Sequence, residues 1–219
     1  MSARHTPARL VVGMSGATGA IIGVRLLERL REIPEVQTHL VISRWARSTI
    51  EWETSRTVRE VSALADVSYS PDDQAAAISS GSFRTIGMIV APCSMKTVAA
   101  IRSGYADGLL ARAADVTLKE RRKLVLVPRE TPLNDIHLDN LLALSRMGVV
   151  IAPPMPAFYR RPETLDALVD HTVSRLLDQV ELGETDNYEW QGFAQARTAN
   201  GIGHVPTPHT HAAQAGEAL

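Results

Sequence analysis

Short apolar runs alternating with amphipathic stretches constrain this chain more than any other feature. The runs are 9–13 (RLVVG), 38–43 (THLVIS), 86–94 (IGMIVAPCS), 123–129 (KLVLVPR) and 149–154 (VVIAPP). Between and after them lie stretches with the apolar period of a helix, near 19–33, 44–54, 95–103, 107–121, 137–147 and 162–181. Runs that are apolar throughout fit strands buried on both faces. Strand then helix, repeated about five times, therefore implies a mainly parallel sheet between two helical layers: a doubly wound α/β domain.

Such sheets bind ligands beyond the carboxyl ends of their strands. The positions to collect are 15–19, Ser43 and Arg44, 94–97, 129–132 and 156–159. In the first of them, VVGMSGATGA at 11–20, Gly13, Gly16 and Gly19 fall three apart between a strand and a helix. A chain presents backbone N–H groups to a phosphate in this way. The spacing is neither the G-x-G-x-x-G of dinucleotide sites nor the Walker pattern, which needs Gly-Lys-Ser/Thr. Small hydroxyl residues at the other strand ends suit the same ligand, although each alone would serve equally as a helix cap. Five such positions converge on one edge.

The 219 residues, 45% hydrophobic, suit one globular domain over 9–196, with a short extension at 1–8 and a tail at 197–219 expected to be disordered. Residues 66–85 read as a long loop with a short helix, suited to a subunit contact or a lid. A formal net charge of -1 gives no field to attract a polyanion, so no nucleic-acid partner is expected. The start has no apolar signal-peptide core and no run reaches the length of a membrane span, which leads us to expect a cytoplasmic protein. Cys93, the only cysteine, is expected to be a buried structural thiol. The seven histidines show no ligand spacing, and no metal site is expected.

Three further stretches carry candidate chemistry. In LVLVPRETPL at 124–133, Arg129 and Glu130 leave a buried strand between Pro128 and Pro132. Desolvation there would raise the acid's pKa towards general acid/base use, and an Arg–Glu ion pair is the structural alternative. In RAADVTLKERR, Arg112 and Lys119 stand seven residues apart, on one face of a helix, aimed at an anion or simply solvated. Further on, a proline-braced turn carries Tyr159, and Arg175 lies in the later turns of the helix that follows. Packing and a helix-end salt bridge are the plain readings of that pair.

Taken in order, GMSGATGA, VISRWA, APCSMKT, RAADVTLKERR, PRETPL, PPMPAFY and DHTVSRLLDQ resemble the UbiX/Pad family of flavin prenyltransferases over roughly residues 9–182. SRWARSTIEWET and AAAISSGSFRTIGMIVAPCSMKT resemble the branch found as the B subunit associated with hydroxyarylic acid decarboxylases. The resemblance implies a Rossmann-like, flavoprotein-type fold and a metal-independent transfer of a dimethylallyl group from dimethylallyl monophosphate to N5 and C6 of reduced FMN. The product, prenylated FMN, would pass to a UbiD-type decarboxylase. Carried over, the flavin contacts are Gly16, Ala17, Thr18, Ser43, Ser94, Met95, Lys96, Thr97 and Arg129. Tyr159 and Arg175 would hold the substrate phosphate, with Arg112 and Lys119 close by and Glu130 as acid/base. Thr18 stands where the family's turn often has serine, keeping the hydroxyl and adding a methyl. A large homo-oligomer, a dodecamer with active sites at subunit junctions, is also implied.

Two other readings compete. A flavin-dependent cysteine decarboxylase would share the fold but would carry asparagine-containing turns where this chain has APCSMKT and PPMPAFY. A non-catalytic flavin-carrying subunit of an aromatic acid decarboxylase would have no use for Lys119, Glu130, Tyr159 and Arg175.

Overall fold

In the computed structural model, which describes residues 7–183, the apolar runs become β1 (Ala8–Met14), β2 (Val36–Ile42), β4 (Gly87–Cys93), β5 (Lys123–Pro128) and β6 (Val150–Ile151). A sixth strand, β3 (Val67–Tyr69), joins them. The order is β3-β2-β1-β4-β5-β6, and every adjacent pair is parallel. From β1 the chain winds outward to β3, then crosses back to β4 and winds the other way. That reversal opens a crevice between the ends of β1 and β4.

Alternation along the strands supplies both helical layers. Leu10, Val12, Met14, Ile89, Ala91, Val125 and Val127 face α1 (Ala20–Arg31) and α7 (Leu165–Asp178), meeting Leu26, Leu27, Leu30, Val173 and Leu176. Ala46 and Ile50 of α2 (Arg44–Glu53) and Val61 of α3 (Val58–Ser62) complete that core. The intervening residues Val11, Met88, Val90, Leu124 and Leu126 face α4 (Met95–Ser103), α5 (Leu109–Lys119) and α6 (Asp135–Arg146).

Several boundaries differ from the sequence expectation. The loop expected at 66–85 begins with β3 and contains a 3-10 turn, Ala77–Ser79. It is also pinned, because the Arg122 guanidinium donates to the carbonyls of Gly81 at 2.6 Å and Phe83 at 2.8 Å. β6 keeps only two residues of its apolar run because Pro153 and Pro154 have no N–H for a ladder. α6 starts early, at Asp135, because Asn134 accepts from the His137 N–H at 2.9 Å; α7 starts late, where Thr164 caps it. The expected domain end at 196 and the tail at 197–219 lie outside the described residues, as do residues 1–6 of the expected extension. Among the described residues no helix is long and apolar enough to cross a membrane.

Candidate functional site

Buried Ser15, the residue after β1, ties the crevice together. It accepts from the Ser94 N–H at 2.7 Å, and its own hydroxyl donates to the Pro92 carbonyl at 3.2 Å. Ser94 caps α4, accepting from the Thr97 N–H at 3.3 Å. Ser43 caps α2, accepting from the Ala46 N–H at 3.2 Å, while its own N–H donates to Met14 at 2.9 Å. The Arg129 N–H reaches the Cys93 carbonyl at 3.2 Å. The ends of β1, β2, β4 and β5 are thus laced into one rim.

Against this rim lies a cavity of about 370 Å³, lined by Gly16, Ser43, Arg44, Trp45, Ser94, Lys96 and Thr97, with the start of α5 opposite. The α4 N-terminus supplies its positive helix end here, with the Met95 and Lys96 N–H groups outside the intrahelical ladder. Among the described residues, neither Arg44 nor Lys96 has a carboxylate partner. Gly16 lets the turn approach α2: a Cβ there would stand 2.4 Å from the Trp45 Cβ. The cavity therefore offers an anion two cations, capping hydroxyls and a helix N-terminus, with the carboxylates of Asp72 and Asp107 also in its lining.

The glycine turn itself is less open than its sequence suggests. Gly19, at φ 97°, and Ala20 donate their N–H groups to one Glu53 oxygen at 2.8 and 2.9 Å. A carboxylate from the end of α2 thus occupies the α1 N-terminus that was expected to meet a phosphate, and the cavity's anion donors belong to α4 instead. Sequence reasoning did not find Glu53, which lies 34 positions from Gly19.

The other expected residues divide into groups. Ala17 and Thr18 share the glycine turn without lining the cavity, and the Met95 side chain is buried in the core. Arg129 and Glu130 follow β5 on the same sheet edge but outside the cavity, and both are exposed. The expected desolvation of Glu130 is absent within one chain, and its only hydrogen bond among the described residues is from the Thr131 N–H at 3.1 Å. Beyond β6, Tyr159 sits in the 3-10 turn Phe158–Arg160, and Arg175 pairs with Asp178 at 2.7 Å. Arg112 and Lys119 are not brought to the cavity. Arg112 pairs with Asp115 at 2.8 Å, Lys119 pairs with Glu120, and α5 runs antiparallel to the strands, so Lys119 reaches the opposite sheet edge. Cys93 is wholly buried, and burial pushes its thiol far up; a hydrogen bond from Ser15 opposes this only in part.

Comparison with known proteins completes the picture. The flavoprotein family model matches residues 2–177. A probable UbiX-like flavin prenyltransferase from Streptomyces sp. (strain D7) is 66% identical over 191 residues, covering 87% of this chain and 96% of that protein. A dodecameric FMN-dependent UbiX-like decarboxylase from Escherichia coli O157:H7 shares the structure with a TM-score of 0.82 and 66% identity, covering 84% of this chain and 100% of that one. AnUbiX (PadA1), solved in complex with FMN and dimethylallyl pyrophosphate, gives 0.83 and 53%, covering 85% of this chain and 99% of that one.

Proposed function

The chain belongs to the UbiX-like flavin prenyltransferases of the flavoprotein family, and on that premise we propose that it joins a dimethylallyl group from dimethylallyl monophosphate to N5 and C6 of reduced FMN. The prenylated FMN so made serves a UbiD-type decarboxylase. The observation that carries this reading is the cavity at the β1–β4 crevice, where Arg44 and Lys96, neither with a carboxylate partner among the described residues, meet the α4 N-terminus.

These residues fit a flavin mononucleotide. Ser43, Ser94, Lys96 and Thr97 would hold its phosphate, and Gly16 keeps the turn low beside it. Reduced flavin supplies the nucleophilic N5 and C6. Everything else falls to side chains. Tyr159 and Arg175, with Arg112 and Lys119, hold the prenyl phosphate and stabilise the negative charge that grows as it departs. Arg129 borders the flavin, and Glu130 accepts the proton lost as the new bonds form.

Arg112 and Lys119 do not line the cavity of their own chain, and on this reading they reach into the site of a second copy. The dodecameric relative supports such a homo-oligomer. A neighbouring copy would also bury Glu130 and exclude water from the reaction.

Anaerobic incubation of the pure protein with reduced FMN and dimethylallyl monophosphate, followed by mass spectrometry of the released flavin, tests the reading. A flavin heavier by one five-carbon unit is expected. Unmodified FMN beside intact substrate would overturn the proposal and favour the flavin-carrying subunit.

A further inference from the structure

We propose that His171 is a positioning residue that holds the 158–160 turn against α7, so that the Tyr159 hydroxyl and Arg175 meet one prenyl phosphate. The inference rests on the reading above, in which Tyr159 and Arg175 bind that phosphate.

Both sides of the imidazole are engaged. Arg160 Nη1 lies 2.9 Å from His171 Nδ1, and the Tyr159 hydroxyl lies 3.4 Å from Nε2. The two rings meet edge to face, their centroids 6.1 Å apart at 89°. His171 and Arg175 stand four residues apart on α7 and so share a face.

The chemistry fixes the direction of each bond. A guanidinium can only donate, so Nδ1 is the acceptor and carries no proton. In the neutral ring the proton then sits on Nε2 and points at the Tyr159 oxygen. The tyrosine's own proton is then not spent on the imidazole.

This arrangement requires a neutral ring. Burial lowers the His171 pKa, and the positive charges of Arg160 and Arg175 lower it further; Asp178 opposes them. Protonation would place an N–H on Nδ1 facing the Arg160 N–H, donor against donor. The clamp therefore holds above the ring's pKa and opens as pH falls through it.

Steady-state kinetics of the full-length protein, with dimethylallyl monophosphate varied against reduced FMN, test this. His171→Phe removes both hydrogen bonds while keeping a ring, and should raise KM about five- to tenfold with kcat within about twofold. His171→Gln places an amide N–H near the Nε2 position and should restore KM. The KM ratio of H171F to the unaltered protein should fall towards one as pH is taken down through the ring's lowered pKa, below the ordinary imidazole value, since the unaltered clamp then opens by itself.

Tyr159→Phe separates the two levels of the argument. An unchanged KM in Y159F would remove Tyr159 from the phosphate site and with it the premise. A raised KM in Y159F beside an unchanged KM in H171F would overturn the role of His171 alone. A ratio constant with pH would also overturn it, leaving His171 as packing.

Discussion

The two halves of the sheet edge are built differently. From β2 to β4 the rim is finished within one chain: Ser15, Ser43, Ser94 and Thr97 bond to one another or to neighbouring backbone, and Glu53 fills the α1 N-terminus. From β5 to β6 the equivalent residues stand in the open. Arg129, Glu130, Tyr159 and Arg175 are all exposed, and Arg112 and Lys119 lie elsewhere. The contrast fits the proposed chemistry. On the proposed function the flavin, which must be held still through the reaction, has a preformed cradle, whereas the prenyl phosphate would meet a site that a second copy completes.

The largest effect should come from the open half. Glu130→Gln should slow turnover by about 10²- to 10⁴-fold, the usual worth of a general acid/base, while FMN binding by fluorescence titration stays unchanged. Lost FMN binding would show that Glu130 belongs to the preformed half and would break the comparison. Normal turnover would remove it from the chemistry.

A complementation test sharpens the same point. If Lys119 and Glu130 in one site come from different copies, co-assembly of the inactive Lys119→Ala and Glu130→Gln chains in equal amounts leaves about a quarter of sites intact. Activity should recover to about that share. An inactive mixed oligomer would mean that one chain contributes both residues.

The preformed half was largely legible in the sequence, and the open half was not. Gly16, Ser43 and Ser94 announce themselves because each follows a strand within two residues, and strand ends in a parallel sheet share an edge. Glu53 was hidden: its role depends on α2 folding back across the α1 N-terminus, a packing event with no local signal. Which copy's site Arg112 and Lys119 serve was not legible. Their spacing does place them on one helix face, but seven residues of helix span about 10 Å, enough to carry Lys119 away from the cavity. β3 escaped notice because three residues at a sheet edge carry too little apolar pattern to stand out.

A smaller effect is expected at Glu53. Its carboxylate meets two N–H groups that would otherwise be unsatisfied, so Glu53→Ala should cost about 1 kcal/mol and lower Tm by about 2–4 °C. Glu53→Gln keeps an acceptor oxygen and should recover most of that loss by scanning calorimetry. If Glu53→Ala instead left Tm unchanged and tightened FMN binding, the α1 N-terminus would be a phosphate site that Glu53 merely occupies.

The smallest effect on activity belongs to Cys93, at the most buried point of the preformed rim. Cys93→Ala should leave turnover within about twofold, since the thiol faces the core between β4 and α4 and touches no proposed substrate position. Its signature lies in stability at high pH. The folded state holds the thiol's proton well above a thiol's ordinary value of 9.0, mainly through burial, whereas the unfolded chain releases it there. Above that pH the folded state therefore binds more protons than the unfolded state, and stability falls as pH rises, by up to about 1.4 kcal/mol per unit. Urea unfolding at pH 8 and pH 10 should show this added loss in the unaltered protein and not in the Cys93→Ala variant. Equal losses in both would mean that the thiol is open to solvent, and that the rim of the flavin half is looser than its hydrogen bonds imply.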